Sequence, residues 1–354
     1  MKVIPYVEVI SPSSFLPIQI VEPKECWFEL GYKEIGQFEV YAPATRRNLE
    51  CLQKSNFVKM PNVKYIWVIT SIEYGFNAGG SRMIIAKGYE AIWLLKKSIV
   101  RFNMLLPKTV SAAFTTLIST FYMPYYSYTN GYGLQLINID KELVETVAAR
   151  GNLLEYIHNM AKSYGCNIHA IYDENKIKFS IREGQDKSST VKFSQSNDNL
   201  LSFNYLSDDT EKANTVYVVA KVDDVEYATS YTTQPSDDGK IIVIHESSLS
   251  NKYIDDKGEE KELTLSKESD KNQFLNWLKE EGKLELENHT TTTEIKSTID
   301  LKNSKYELDQ DYMVGDIVEV KDEYFNISAT QRIVKYTIRL ENTGIVSEAL
   351  DFGE

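Results

Sequence analysis

The sequence predicts a mainly β protein of the α+β class, with a β-rich region towards each end of the chain and a small α+β unit between them. Three observations carry this. Short runs of apolar residues alternate with polar ones in steps of two, the signature of strands with one face in a core. There are 23 Tyr and 14 Phe, residue types that fit pleated sheets and contact surfaces better than helix interiors. Turn formers gather between the runs: Gly184, Asp186, Asn197, Asp198, Asp208 and Asp209 punctuate the stretch from Arg182 to Val222. In that stretch Val191 and Phe193, then Val216, Val218 and Ala220, alternate as a half-buried sheet requires.

At 354 residues the chain exceeds the usual size of one core, so two or three domains are expected. Hydrophobic residues at 42% and charged residues at 25% argue against general disorder. The net charge of −12 repels a phosphate backbone and argues against sequence-specific nucleic-acid binding; taken alone, it is ordinary solubility. Cys26, Cys51 and Cys166 are odd in number, far apart and outside any C-x-x-C pair. They read as buried thiols of a reducing compartment, not as a disulfide framework or a zinc site. The segment from Val3 to Ile20 is interrupted by Glu8 and three prolines, no small-residue cleavage site follows it, and no apolar run reaches the length of a membrane span. The expectation is a soluble protein made in a cytoplasm, without stable membrane insertion.

In chain order, Cys26–Leu30, Phe38–Ala42 and Lys64–Ile72 are strand candidates, and Asn77, Gly79 and Gly80 can turn the chain into RMIIAKG. The period then changes over Tyr89–Lys97, where Ala91, Leu94 and Leu95 share a helical face and the closing lysines suit a helix C-terminus. Phe114, Leu117, Ile118 and Phe121 follow the i, i+3, i+4, i+7 pattern of a short amphipathic helix, with the tyrosine-rich PYYSYTNGYG after it. Aromatic clusters mark interfaces, but this helix lacks a basic polar face, so it is expected to close its own domain and not to lie on a membrane. A second helix is bounded by Asn152 as cap, with Glu155 three residues on, and by Gly165; Leu154, Ile157, Ala161 and Tyr164 form its buried stripe. Ile177, Phe179 and Ile181 mark the strand that follows. His158 and His169 are expected as surface and strand polar residues, since no second ligand shares a metal-site spacing with either.

Beyond Val222 the chain enters a charged excursion with mixed-sign residues from Lys252 to Asp270, then a helix QFLNWLKEEG with Asp270 as its expected cap. Such composition is usually a solvated face, so the segment Lys252–Glu287 is expected to be peripheral and replaceable by a short linker. Strands resume at TEIKSTID. Near the end Val334, Tyr336, Ile338 and Leu340 alternate against Ile333, Lys335, Thr337 and Arg339, with Arg332 and Ile333 opening that strand. Gly315 and Asp316 are expected to form a tight turn, Gly for backbone freedom and Asp for a side-chain bond to the backbone.

The sequence contains no G-x-S-x-G elbow, no H-E-x-x-H, no G-x-x-x-x-G-K and no G-x-G-x-x-G after a strand. With four His among 51 acids, paired carboxylates such as Asp208 and Asp209 read as turns before they read as an acid/base dyad. No catalytic, cofactor or metal residue is assigned.

The order of the parts resembles the baseplate hub (tail-associated) proteins of siphophages. The resemblance rests on Gly184 and Asp186 in a G-x-D turn, Phe193 and Ser194 in a V-x-F-S strand, the Asn199–Leu200 pair, Asn214 opening N-x-V-Y-V after an acidic loop, and the terminal Gly315, Asp316 and Val318 of G-D-x-V-x-V. It implies two tube-like β-barrel or sandwich domains, at 1–138 with a helical, aromatic insertion at 101–138, and at 201–354 with a charged insertion at 235–287. A small α+β domain at 139–200 lies between them. It implies a structural virion protein at the tail tip, a homotrimer with no enzymatic activity and no cofactor, assembled in the bacterial host cytoplasm. Its implied partners are the distal tail protein, the tape measure protein and a tail fibre or receptor-binding protein, with DNA passing an acid-lined lumen during genome ejection. Because the sequence ends at Phe352–Glu354, the extensions of larger relatives are expected to be absent. Two alternatives stand beside this: a carbohydrate- or receptor-binding tail protein with an aromatic platform at Tyr122–Tyr132, and a tail-associated cell-wall hydrolase component.

Overall fold

The computed structural model describes residues 6–353 apart from 33, 62, 77–79, 127–130, 138, 140, 144–146, 198, 209, 211, 234–240, 256, 290–291, 300–304 and 342–343. Asn77, Gly79, Asp198, Asp209, the centre of the tyrosine-rich loop and the start of the expected charged insertion therefore lie outside the described residues.

Strands from both ends of the chain build one 13-stranded sheet. In Glu25–Gly31 the residues Cys26, Phe28 and Leu30 point inward, and in Gln37–Pro43 so do Phe38, Val40 and Ala42. Phe28 pairs with Phe38 across the hairpin, their rings stacked 5.6 Å apart. The terminal strand Ile327–Glu341 pairs directly with Glu25–Gly31, setting Tyr336 against Leu30, Ile338 against Phe28 and Leu340 against Cys26. The two expected β-halves thus share one hydrogen-bonded sheet and one core. The sheet is open: along its main path it runs from an edge at Leu200–Asp208 to an edge at Pro17–Val21, and does not close into a barrel among the described residues.

Two local readings need correction. The last long strand starts at Ile327, five residues before Arg332, because it first pairs with Ile317–Asp322. A register shift between Ile333 and Lys335 turns both Ile333 and Val334 inward, so strict alternation fails at that point.

A second core gathers the small α+β unit. Its sheet places Tyr132–Ile137, Lys176–Glu183 and Cys166–Asp173 side by side, with Ile177, Phe179 and Ile181 fully buried. Two helices cover it. In Leu153–Ser163 the Asn152 side chain accepts from the Glu155 N–H, and Gly165 takes φ 66° just beyond the end. In Val110–Phe121 the stripe Phe114, Leu117, Ile118 and Phe121 is buried in the same core, so this helix packs on the α+β unit. Tyr122 is buried, with its ring 5.6 Å from Tyr132 and 5.1 Å from Phe179, so the rings at the two ends of the aromatic segment pack inward. Residues Ala91–Lys97 form a 3-10 helix that buries Ala91, Ile92, Leu94 and Leu95.

The charged excursion is not a solvated appendage. Thr215–Val222, Val225–Thr232 and Ile242–Ser247 form their own sheet, and the helix Glu268–Leu286 lies on it. Phe274, Trp277, Leu278 and Leu286 are buried there against Val216, Val218 and Ala220. Thr215–Val222 therefore belongs to this third core and not to the sheet of the terminal strands. The helix also starts earlier than expected: Lys267 is its cap residue, and Asp270, within the first turn, accepts from the Thr264 N–H. The mixed charges mask a narrow apolar stripe at i, i+3, i+4 and i+12. All three cysteines are free and buried, and burial pushes the Cys26 thiol up to about 12 and the Cys166 thiol up to about 11.

Candidate functional site

The motif residues singled out in the sequence converge, with one exception, on the seam where residues 182–200 meet the terminal segment. Two glycines make the approach possible. Gly315 has φ 93°, which L side chains adopt only with strain, and a Cβ on Gly184 would stand 2.1 Å from the Gly315 carbonyl oxygen. With the backbones that close, the Ile317 N–H donates to the Gln185 carbonyl at 2.9 Å and the Lys187 N–H to the Ile317 carbonyl at 2.7 Å. Further along, Lys192–Ser194 continues the contact as a short strand parallel to Ile317–Asp322, pairing Phe193 with Val320.

Asp316 is the polar centre of the seam, and its side chain is 1% exposed. Its Oδ1 accepts from the Gln185 N–H at 2.8 Å and from the Arg182 guanidinium, and its Oδ2 accepts from the Met313 N–H at 2.9 Å. A buried carboxylate needs such partners, and here they come from both sides of the seam. The expected turn is present, but its aspartate does more than bond locally. Arg332 donates to the Gly315 carbonyl at 2.6 Å while its guanidinium sits 4.9 Å from the Tyr32 ring centroid.

The remaining motif residues have distinct places. Asp186 forms an exposed turn in which Oδ1 accepts from the Ser188 N–H and hydroxyl, bonds that hold its carboxyl below the usual range. Phe193 is buried with its ring 5.7 Å from each of Tyr306, Tyr312 and Phe352. Asn199 clasps the end of that strand: Oδ1 accepts from the Ser194 N–H and Nδ2 donates to the Lys192 carbonyl, both at 2.9 Å. Leu200 and Val318 are buried. Asn214 is the exception, since it serves the third core, where its Oδ1 accepts from the Ile241 N–H at 3.0 Å.

Sequence reasoning missed a second polar cluster at the same joint. Glu90 is 1% exposed; its Oε1 accepts from the Ala170 N–H at 2.7 Å and lies 2.9 Å from His169 Nδ1. Asn167 contacts the other His169 nitrogen at 2.7 Å and donates to the Val314 carbonyl at 3.0 Å. His169 is thus an interior strand residue, because strand Cys166–Asp173 is covered on both faces. The clue lay in RMIIAKGYE, where Glu90 shares the inward parity of Ile84 and Ala86. Tyr65, also buried, donates to Asp309 at 2.8 Å and adds a third tie between distant segments. Among the described residues, no group of three or more His, Cys, Asp or Glu is arranged to hold a metal ion. What the seam does chemically is join: its charges are spent on backbone groups and on each other.

The outward face of the large sheet has a different character. Lys87, Lys335 and Arg339 each stand between two carboxylates: Lys87 lies 3.5 Å from Glu39 and 3.0 Å from Glu73, Lys335 3.7 Å from Glu29 and 3.9 Å from Asp351, and Arg339 2.6 Å from Glu25 and 3.9 Å from Glu341. A groove of about 410 Å³ lined by Trp27, Glu29, Glu34, Lys296, Lys335 and Asp351 opens on this face. Acids outnumber bases across it, even with Lys296 counted.

Three solved structures share the fold over almost the whole chain. The tail protein from Neisseria meningitidis MC58 aligns with a TM-score of 0.57 at 14% identity, covering 99% of this chain and 96% of its own. The 43 kDa tail protein of prophage MuSo2 from Shewanella oneidensis aligns with a TM-score of 0.58 at 10% identity, covering 98% of each. The prophage tail protein gp18 from Listeria monocytogenes EGD-e aligns with a TM-score of 0.50 at 14% identity, covering 99% and 94%. No curated protein matches the sequence. The model of the family described as Siphovirus ReqiPepy6 Gp37-like protein matches residues 136–354, a span that holds the whole Asp316 seam and the charged third core. The chain therefore belongs to the Siphovirus ReqiPepy6 Gp37-like family and has the fold of phage and prophage tail proteins.

Proposed function

We propose that this chain is a structural component of a phage tail, and specifically the hub at the tail tip. The observation that carries the reading is the fold match over 98–99% of this chain and 94–98% of three tail proteins, together with membership of a siphovirus family. In this reading the chain is a homotrimer that ends the tail tube and meets the distal tail protein, the tape measure protein and a fibre or receptor-binding protein. It acts by shape and not by catalysis.

Two features of the molecule support the arrangement. The large sheet ends in two unlike edges, and unlike edges joined head to tail close into a ring when the rotation permits. Its outward face carries paired charges with acids in excess, a surface that suits a DNA passage because it does not exchange phosphate counterions for Lys and Arg. Reconstruction of the assembled particle tests the reading. Three copies at the distal end of the tail tube, with the Glu29–Glu39 face turned to the lumen, are expected; another copy number or position defeats it.

A further inference from the structure

The third core meets the helix Leu153–Ser163 across a cleft of about 230 Å³, with Arg150, Glu155 and Tyr156 on one wall and His245, Glu246, Glu281 and Glu285 on the other. His245 stands between two carboxylates of the long helix: its Nε2 is 3.2 Å from Glu281 and its Nδ1 3.8 Å from Glu285. The second oxygen of Glu285 lies 3.5 Å from His289, and Ser247 donates to the second oxygen of Glu281. One imidazole thus turns a ring nitrogen to each carboxylate. A neutral imidazole has a single N–H and serves only one of them, whereas an imidazolium serves both.

Charge points the same way. Glu155, Glu246, Glu281 and Glu285 face a cleft in which Arg150 is the opposing fixed cation among its lining residues. Lys283, on the same helix, is committed elsewhere, with its ammonium 4.9 Å from the Tyr164 ring centroid. When His245 is neutral, the carboxylates repel one another across the cleft with less to offset them.

We propose that His245 is a proton-operated latch within the third core: as an imidazolium it fastens the C-terminal end of the long helix to the strand Ile242–Ser247, beside the cleft, and losing the proton loosens that contact. The hydrogen bond to Glu281 raises the His245 pKa above 6.5, against the opposing effect of burial. The stabilisation is therefore fully present below about pH 6.5 and is lost as pH rises through the raised value.

Hydrogen-exchange mass spectrometry on the full chain tests this, at about pH 5.5 and about pH 8.5 with intrinsic exchange rates corrected. Amides of residues 242–247 and 281–289 should be at least about threefold more protected at the lower pH. His245→Gln, which does not titrate, should flatten the difference, and Glu281→Gln should shrink it. A pH-independent pattern in the native chain overturns the latch, as does an undiminished difference in His245→Gln. Should His245→Gln fail to fold, Glu281→Gln decides: an unchanged pH difference there overturns it equally.

Discussion

Arg182 and Asp316 are 134 positions apart in the chain, yet the guanidinium of one donates to the carboxylate of the other inside the joint between the α+β unit and the terminal strands. The side chains are 12% and 1% exposed. Removing one partner of a buried pair leaves the other charge without compensation, typically at a cost of about 3–5 kcal/mol. Asp316→Ala should lose about that much in denaturant unfolding, because two backbone N–H groups are orphaned as well. A loss below about 1 kcal/mol would mean that the seam is not held at this point.

The same joint predicts a sharp contrast between glycines. In Gly184→Ala the new methyl would stand 2.1 Å from the Gly315 carbonyl oxygen, a backbone atom that cannot rotate away. A destabilisation of about 1–3 kcal/mol or more is expected. Gly151→Ala, with no atom within 4 Å of its added carbon, is the control and should change stability by no more than about 0.5 kcal/mol. Equal effects at the two sites would remove the close-approach account of Gly184.

How much of this was legible differs by element. Alternation gave the strands around Phe28, Phe38, Phe179 and Val218 correctly, because in each of these one face or both lie in a core. Motif order gathered Gly184, Phe193, Asn199, Gly315 and Asp316, which the fold does bring to one seam. What could not be read was pairing between distant segments: nothing local in CWFEL says that it lies beside KYTIRL, and the merging of both ends into one sheet follows from that pairing. His169 lies in a strand as expected, but its burial could not be read, since its partner Glu90 is 79 positions away. The charged segment was misread because the four large apolar residues that its 19-residue helix buries are diluted by charge, although their spacing is helical.

Trp277 is 2% exposed and Phe274 fully buried, so truncation of either to alanine should cost about 3–5 kcal/mol in the unfolding of the third core. Replacing 252–287 by a Gly/Ser linker strips the cover from Val216, Val218 and Ala220 and should yield insoluble or non-cooperatively unfolding protein. A soluble, cooperatively folded deletion variant would restore the segment to the status of an appendage.

His158 sets an acid limit on stability. Burial drives its pKa down to about 4, while Nε2 lies 2.8 Å from the Tyr32 carbonyl. Below pH 6.5 the unfolded chain takes up a proton that the folded one refuses, so stability falls between about pH 6.5 and about pH 4, by about 3 kcal/mol at most. His245 acts with the opposite sign, so the measurement belongs in a His245→Gln background. There, His158→Gln should flatten the acid side of the stability curve. An unaltered slope would show that other groups govern it.

The proposed ring makes its own prediction at the two edges of the large sheet. Among the described residues Pro17–Val21 pairs only with Val7–Ile10, and Leu200–Asp208 only with Thr292–Ile299, so each presents to the described chain an edge row of backbone groups. Edges left this way are pairing templates, and single-chain proteins usually blunt them with charge. Here they are apolar: Leu16, Ile18 and Ile20 are 47%, 48% and 56% exposed on one edge, and Leu201, Tyr205 and Leu206 are 63%, 45% and 49% exposed on the other. Burial of such rows by a neighbouring copy accounts for their composition better than exposure to water does. Ile18→Lys with Ile20→Lys, or Leu201→Lys with Leu206→Lys, should each leave the isolated fold within about 0.5 kcal/mol per site of the native stability, since these side chains are already half in solvent. Each pair should nevertheless abolish incorporation of the chain into tails. Full incorporation of both variants at an unchanged copy number would show that the copies meet through some other surface.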